Sequence, residues 1–200
     1  MVGNDIIDLA DFETRLGGCH PRFDRRVFAP VELELLATAR SRVRMRWILW
    51  SAKEAAYKAA RQACATAVFS PSRFVVRLNS ALHGSVSHGS QCWNVRIQLD
   101  GDCIHALAND ERFHGDTIWG ARRLTAEEHA DPSTGARRLA LATIAARQGL
   151  PVARLGIGRS GRIPQLMFDG AAPLASLSLS HHGCFVGFAC RIGFRGSALH

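Results

Sequence analysis

Small apolar residues recur at helical spacing between Trp47 and Arg61, a stretch that contains neither glycine nor proline. The stretch is rich in alanine, which favours a helix. Intervals of three or four positions place its small residues on one face, where another element can approach closely. The residues of this face are Ile48, Ala52, Ala55 and Ala59.

A short apolar run with two acids, Val2–Leu9, predicts a strand near the start of the chain. Side chains alternate between the two faces of a strand, so Asp5 points away from Ile6 and Asp8. A carboxylate in so apolar a strand is poorly solvated unless it is paired or bound to a metal ion. Asp5 therefore either caps the chain end or belongs to a charged site.

Helix and strand signals alternate along the rest of the chain. Pro30 opens a predicted helix over Val31–Ala39, Ser41 caps the long central helix, and Gly149 ends a helix over Ala136–Gln148. Two stretches rich in turn residues are predicted to be a hairpin loop and a linker, at Asn79–Gln91 and Asp131–Gly135. Strands are predicted at Phe74–Leu78, Cys92–Leu99, Cys103–Ala108, Thr117–Trp119, Ser176–Ser180 and Cys184–Cys190, with a hairpin turn at Asp100-Gly101.

The composition fits a globular protein with a substantial core, since 47% of the 200 residues are hydrophobic. Six cysteines are scattered without a C-x-x-C pair, which argues against a zinc site and favours reduced thiols in a cytoplasmic protein. No run of about 18 apolar residues is present, so we expect no spanning helix and no membrane partner. No basic region precedes the first apolar run, so we expect no signal peptide.

The net charge of +8 comes mostly from arginine and suits an acidic partner. Four arginines crowd the start of the central helix, where the helix dipole disfavours cations: Arg40, Arg42, Arg44 and Arg46. They form either a solvated face or a patch for an acidic partner. The chain lacks the aromatic and basic strand pattern of an RNA-binding sheet and any recognition-helix signature, so we expect no nucleic-acid partner.

Glu54 and Lys58 lie four residues apart, side by side on a second face of the central helix. This spacing fits an ordinary surface ion pair, worth about 0.2–0.5 kcal/mol. Alternatively, Glu54 meets Asp5 from the N-terminal strand, and the two carboxylates bind a hard metal ion. The spacing alone leaves both interpretations open.

The two acidic stretches resemble the signature motifs of 4′-phosphopantetheinyl transferases. Gly3-Asn4-Asp5-Ile6-Ile7-Asp8 is similar to their G-x-D-[IV]-[VI]-[ED] segment, and Trp50–Ala59 to their [WF]-[ST/A]-x-K-E-[AS]-x-x-K-A helix. Order and separation also agree. The resemblance implies an enzyme that transfers the 4′-phosphopantetheine arm of coenzyme A to a serine of an apo acyl or peptidyl carrier protein, releasing 3′,5′-ADP.

The resemblance also implies a metal site, with Asp5 and Glu54 as ligands of Mg²⁺ on the coenzyme A pyrophosphate. Lys58 would neutralise the leaving phosphate, and Glu54 could accept the serine proton, directly or through water. In surfactin-type enzymes a second metal carboxylate falls at the position of Ile7 in this chain. The implied ligands are therefore Asp5, Glu54, water and phosphate, with Asp8 behind them.

Two segments in the second half resemble coenzyme A-binding motifs of the same family. Ser178-Leu179-Ser180-His181 is similar to their S-[LI]-S-H turn, and Gly161-Arg162-Ile163-Pro164 to their G-[KR]-P segment, with one extra residue before the proline. The helix that begins at Ala136 resembles the basic helix of the surfactin type. The coenzyme A contacts implied are Ser180, His181, Arg138, Arg162 and Lys53, of which Lys53 would either bind a phosphate or buttress the strand.

The acidic motifs come first, as in the short trimeric holo-acyl-carrier-protein synthases, but this chain also carries the later motifs. The resemblance implies an α+β, two-lobed pseudo-dimeric fold, in which each lobe is a small antiparallel sheet packed on helices. We expect an acidic lobe at residues 1–123 and a coenzyme A-binding lobe at residues 124–200. Because one chain supplies both halves of the site, we expect a monomer. A catalytically silent coenzyme A or carrier-protein binder is the alternative, which the isoleucine at position 7 supports.

Overall fold

The computed structural model describes residues 1–15, 22–110, 116–171 and 175–192. Within these ranges the helices are α1 (Phe12–Arg15), α2 (Phe23–Val27), α3 (Pro30–Thr38), α4 (Arg42–Ala63) and α5 (Pro132–Gln148). The strands are β1 (Val2–Asp8), β2 (Val75–Leu78), β3 (His83–His88), β4 (Gln91–Asp100), β5 (Cys103–Asp110), β6 (Thr117–Arg123), β7 (Leu155–Ser160), β8 (Ile163–Phe168), β9 (Ala175–His182) and β10 (Phe185–Ile192).

Two antiparallel sheets of five strands have the same internal order. The first sheet runs β1-β5-β4-β3-β2, and the second runs β6-β10-β9-β8-β7. In each, a long helix (α4 or α5) lies in the chain between the first strand and the second. The expected α+β fold with two pseudo-equivalent lobes is therefore confirmed.

The change from the first sheet to the second falls between Asp110 and Thr117. β6 pairs with β10 over its whole length, from Arg123 opposite Phe185 to Thr117 opposite Arg191. Strand pairing thus assigns residues 117–123 to the second sheet, although the strand expected at 117–119 was placed in the first lobe. The division of the chain into an acidic lobe at residues 1–123 and a coenzyme A-binding lobe at residues 124–200 stays a prediction.

Each sheet buries its apolar side against its own helix. In the first lobe, Leu49 and Ala56 of α4 pack in one cluster with Val95 and Ile104 of the first sheet. In the second lobe, Ile144 of α5 packs with strand residues that include Leu177 and Phe188. Each lobe therefore has a core of its own.

β1 lies between α4 and the second sheet, and all seven of its residues are buried. Its odd-numbered side chains face α4: Ile7 joins the α4 cluster, and Gly3 lies against the backbone of Ala55 and Ala59. These two alanines and Ala52 have no exposed area. The small face predicted on the central helix is therefore confirmed, and β1 is the element that it receives.

The even-numbered residues of β1 face the second sheet. Since β1 is an edge strand, its outward backbone N–H groups need partners outside the ladder. Asn4 N donates to Ser178 Oγ at 3.0 Å, and Asp8 N donates to His182 Nδ1 at 3.1 Å. Val2 N donates to Gln62 Oε1 of α4 at 3.1 Å. Side chains of α4 and β9 thus close the open edge of the first sheet.

Two predictions for irregular chain were wrong. Asn79–Gln91 contains β3, which pairs with β2 on one side and with β4 on the other. Its glycine, serines and histidines gave no apolar alternation, but the strand is paired along both edges. Asp131–Gly135 is the start of α5, where Asp131 Oδ1 accepts from Thr134 N at 3.1 Å and a proline occupies the first turn.

Among the cysteines in the described ranges, Cys64, Cys103, Cys184 and Cys190 are free thiols. Cys103 and Cys190 are buried, whereas Cys64 is exposed. Cys19 lies outside the described residues. Across those same ranges, no helix combines the length and the apolar character needed to cross a membrane.

Gly3→Ala is expected to lower the free energy of unfolding by about 1–3 kcal/mol or more, the usual cost of overpacking a core. A methyl group there would collide with the carbonyl oxygen of Ala55 and lie 2.6 Å from Ala59 N, and neither helix backbone atom can move aside. Chemical denaturation measures the loss. Gly156→Ala is the control, because no heavy atom lies within 4 Å of its added carbon. Equal stability of the two variants would contradict the close approach of β1 to α4.

Candidate active site

Asp5 is a buried carboxylate that, within the described part of the chain, forms an ion pair with Lys58. Its Oδ1 accepts a hydrogen bond from Lys58 Nζ at 2.8 Å. Its Oδ2 is buried and has no hydrogen-bond partner. Burial raises the pKa of Asp5, while the charge and hydrogen bond of Lys58 act in the opposite direction. A buried carboxylate oxygen without a partner is costly, so this atom marks a place for a further cation or donor.

Glu54 lies one helical turn before Lys58, as the spacing predicts, and is half-buried. Burial raises the pKa of Glu54 to about 7, and the negative charge of Asp5 contributes to the shift. Lys58 acts against it. The structure therefore brings together Asp5, Glu54 and Lys58 as the sequence suggests, with two carboxylates beside a single lysine.

This arrangement fits a hard divalent cation. Mg²⁺ prefers one or two carboxylates together with water and phosphate oxygens. Asp5 and Glu54 offer such oxygens, and a cation would relieve both the unpartnered Oδ2 and the repulsion between the two acids. Ile7, where the surfactin type has a further carboxylate, instead packs in the core of the first lobe.

Asp8 lies on the opposite face of β1 from Asp5. Its Oδ2 accepts from the backbone N and the thiol of Cys184, at 3.0 and 2.9 Å, and its Oδ1 accepts from Ala10 N at 2.8 Å. Burial alone would raise the pKa of Asp8, but the hydrogen bonds from Cys184 and Ala10 outweigh it and lower the pKa. Asp8 therefore fastens β1 to the β9–β10 turn. The family motif implied a place behind the Asp5 site, and Asp8 does not occupy that place.

A second acidic group lies beside this turn, at Asp11, Glu13 and His182, whose ligand-type atoms are within 4.8 Å of one another. His182 Nδ1 already accepts the backbone N–H of Asp8. One ring nitrogen of His182 is therefore already engaged. Exposed acidic groups of this kind are common without an ion, so we do not assign a metal site there.

A cleft of about 180 Å³ opens between the second half of α4 and the strands β8 and β9. We call it the α4–β9 cleft. It brings together Lys58, next to Asp5, and Arg162, which precedes β8. Its lining residues are Lys58, Arg61, Gln62, Arg162, Ile163, Pro164, Leu177, Ser178 and Leu179. Both lobes therefore contribute to one basic cleft next to the carboxylates.

Ser180 is not free to bind a phosphate, which corrects the expectation from the S-L-S-H motif. It is buried on the face of β9 that meets β1, and its Oγ lies 2.6 Å from the carboxamide of Asn4. With its oxygen turned towards Ser180, that carboxamide also accepts from His105 Nε2 at 3.1 Å and donates to Ser178 O at 3.0 Å. Ser180 thus belongs to a buried network that joins the two sheets.

His181 and Arg138 lie on the other side of β9. Strand alternation places His181 on the same face as Leu177 and Leu179, which pack against α5. His181 is exposed at the end of β9, and Arg138 is exposed on α5. Neither lines the α4–β9 cleft. Their predicted contact with a phosphate therefore requires a ligand that extends around the edge of β9, and it stays a prediction.

Lys53 is a structural residue, so its predicted role as a phosphate contact is wrong. Its side chain has no exposed area, and its Nζ donates to Glu32 Oε2 at 2.7 Å, to Pro71 O at 3.0 Å and to Phe74 O. Glu32 in turn accepts from Ala29 N and Val76 N, each at 2.6 Å. All donors of the ammonium are used, and the pair joins α3, α4 and β2. The alternative that Lys53 buttresses a strand describes its place better.

Sequence reasoning missed three residues that shape the site. Asn4 was only the variable position of the G-x-D segment, and nothing local shows that it meets β9. Arg61 and Gln62 continue the side of α4 that carries Lys58, at spacings of three and four residues, and this periodicity could have found them. Gln62 Nε2 donates to Leu177 O at 2.8 Å, so it holds the end of α4 against the second lobe.

Lys53→Met is expected to lower the free energy of unfolding by about 3–5 kcal/mol, because it leaves the Glu32 carboxylate buried without its cation. Chemical denaturation of the purified variant measures the loss. Arg44→Met on the exposed side of the same helix is the matched control, with an expected change within about 0.5 kcal/mol. A Lys53→Met protein as stable as this control would contradict the structural role.

Comparisons with known proteins agree with the geometry of the first lobe. Residues 1–109, from β1 to the end of the first sheet, match the family model described as ACPS, 4′-phosphopantetheinyl transferase superfamily. Among solved structures, the chain is similar to the holo-[acyl-carrier-protein] synthase (AcpS) of Thermotoga maritima, with 15% identity, a TM-score of 0.43, and coverage of 85% of this chain and 83% of that one. No curated protein matches the chain. Because the family model spans more than half of its residues, the chain belongs to the 4′-phosphopantetheinyl transferase superfamily.

Proposed function

We propose that this protein transfers the 4′-phosphopantetheine arm of coenzyme A to a serine of an apo acyl or peptidyl carrier protein, in a Mg²⁺-dependent reaction that releases 3′,5′-ADP. The observation that carries the proposal is the pair Asp5 and Glu54, with an unpartnered oxygen on Asp5, beside a lysine that lines a basic cleft. Family membership supports the reaction type.

In the proposed reaction, the serine oxygen forms a bond to the phosphorus that carries pantetheine, and the bond from that phosphorus to 3′,5′-ADP breaks. Glu54 would accept the serine proton, directly or through water. Asp5 and Glu54 would hold Mg²⁺, which supplies positive charge to stabilise the attacked and leaving phosphate oxygens. Lys58, on the same side of α4, neutralises the leaving group.

In this proposal, coenzyme A lies along the α4–β9 cleft. Arg162 lines this cleft from the second lobe and provides a cation for a phosphate. His181 and Arg138 belong to the proposed site only at its far end, around the edge of β9. Ser180 and Lys53 are not assigned to it, because their polar atoms are engaged inside the protein.

The carrier protein is proposed to dock on the basic surface at the start of α4. There Arg42 donates to the Asp24 carboxylate at 3.0 Å. Arg46 donates to the same carboxylate through its Nε at 2.7 Å and through a terminal nitrogen at 2.9 Å. Arg40 and Arg44 are exposed beside this cluster, as are Arg25 and Arg26 of α2. An acidic partner would be attracted to such a surface. A cytoplasmic location belongs to the same proposal, since it is where free cysteines are expected.

A catalytically silent binder of coenzyme A or of a carrier protein is the second candidate. The observation that favours it is Ile7, which leaves the metal with one carboxylate fewer than in the surfactin type. Incubation with Mg²⁺, coenzyme A and several apo carrier proteins, followed by intact mass, separates the two candidates. An enzyme adds one phosphopantetheine to a carrier, whereas a silent binder leaves every carrier unmodified.

Glu54→Gln is expected to reduce the transfer rate by at least about 100-fold, in line with the loss of a general base. Its melting temperature should stay unchanged or rise, because the substitution removes a negative charge next to Asp5. Intact mass of the carrier against time gives the rate. The control is Glu34→Gln, on the exposed side of α3, with full activity expected. Full activity of Glu54→Gln at saturating Mg²⁺ would rule out its assigned role.

The protein is expected to act as a monomer, because one chain supplies both the carboxylates of β1 and α4 and the second-lobe side of the cleft. Light scattering at micromolar concentration should give the mass of one chain, 21.8 kDa. A mixing experiment tests the same point. Glu54→Gln chains mixed with Arg162→Ala/His181→Ala chains should be no more active than either alone. Recovered activity would mean that the site is shared between chains.

A further inference from the structure

Arg61 is a cation of the α4–β9 cleft that neither the family motifs nor the proposed reaction uses. It lies three residues after Lys58, so the two side chains are neighbours on one side of α4. Glu54 lies one turn before Lys58, and Arg61 lies almost one turn after it. Arg61 is therefore displaced along the helix away from Glu54, and it lines the same cleft as Lys58 and Arg162.

The Arg61 side chain is held in place but not satisfied. Its guanidinium carbon lies 5.8 Å from the centre of the Tyr57 ring, close enough for a cation–π contact. Its Nε is buried and makes no hydrogen bond. A buried N–H donor without an acceptor costs free energy, and native structures pair most such groups. Because the residue also lines the cleft, a ligand bound there can accept from its terminal guanidinium nitrogens.

The chemistry of the cleft selects an anion as that ligand. Its lining includes three cations, Lys58, Arg61 and Arg162, and contains no carboxylate among the described residues. Lys58 is already bonded to Asp5. The two arginines come from different lobes, so a group that enters between them would meet a cation on either side.

The segment that carries Arg61 is rigidly placed. The next residue, Gln62, accepts from Val2 N at 3.1 Å and donates to Leu177 O at 2.8 Å. The end of α4 is thus fastened both to β1 and to β9. Because the backbone of Arg61 is fixed relative to both lobes, its guanidinium can contribute geometric selectivity in addition to charge.

We propose that Arg61 is a specificity-determining contact that recognises the 3′-phosphate of coenzyme A. The inference rests on the proposed function. Asp5, Glu54 and Lys58 account for the pyrophosphate, which leaves the 3′-phosphate as the remaining anionic group of the coenzyme. A planar guanidinium can donate two parallel hydrogen bonds to two phosphate oxygens. Arg162 lines the same cleft from the second lobe.

Calorimetric titration of Arg61→Ala with coenzyme A, 3′-dephospho-coenzyme A and 3′,5′-ADP tests the proposal. We expect dissociation constants about 10- to 100-fold higher for coenzyme A and 3′,5′-ADP, as for a lost hydrogen bond to a charged group. The constant for 3′-dephospho-coenzyme A should change by less than about threefold. Arg61→Lys keeps the charge but loses Nε and the fork, so it should be intermediate.

Arg147→Ala is the matched control, an exposed arginine in the last turn of α5, with all three constants expected unchanged. Thermal unfolding of each variant reports whether it is folded. If Arg61→Ala is unfolded, the titrations are made with Arg61→Lys instead. Equally weakened binding of coenzyme A and its dephospho form, or unchanged binding in both Arg61 variants, would overturn this inference and leave the proposed function standing. If the wild-type protein binds neither coenzyme A nor 3′,5′-ADP, the proposed function fails and the inference fails with it.

Discussion

β1 is the edge strand of its own sheet, yet it is covered on both sides, by α4 and by the second sheet. Each side imposes its own chemistry. Towards the helix, only a glycine fits at position 3, and this contact brings Asp5 close to Lys58. Towards the second sheet, Asn4 satisfies a polar network that includes His105. Burial, with a smaller effect of Lys58, lowers the pKa of His105 to about 3, so this imidazole stays uncharged at neutral pH.

The two lobes have the same strand order, but only one has kept an acidic strand. The β4–β5 and β9–β10 hairpins correspond, so Cys103 is equivalent to Phe185. Counting along the paired strands then places Gly120 at the position of Asp5. By the same count Gly187 takes the place of His105, and a side chain there would lie 3.0 Å from the His105 ring. The equivalent cleft on the other side of the pseudo-dimer therefore lacks its β1-type carboxylate, and one chain carries one site.

The elements with strong local signals could be predicted from the sequence. The alanine face of α4, the Ser41 cap and the hairpin at Asp100-Gly101 all appear as expected. Asp5, Glu54 and Lys58 could be placed together through the family motifs, whereas helix and strand periodicity alone left an ordinary surface ion pair open. Ser180 and Lys53 could not be judged in this way. Their roles depend on distant partners, Asn4 for one and Glu32 for the other, and no local pattern records such a contact.

The hydrogen bonds that close the edge of β1 join residues far apart in the chain. Asn4 and Ser178 are 174 positions apart, as are Asp8 and His182. At the usual rate of synthesis, the N-terminal strand must wait roughly 10–35 s before its partner β9 exists. During that time its apolar, unpaired edge is open to other chains, which is the usual route to strand-mediated aggregation. Production of this protein should therefore be sensitive to how fast its second half is translated and to whichever chaperone shields the first strand meanwhile.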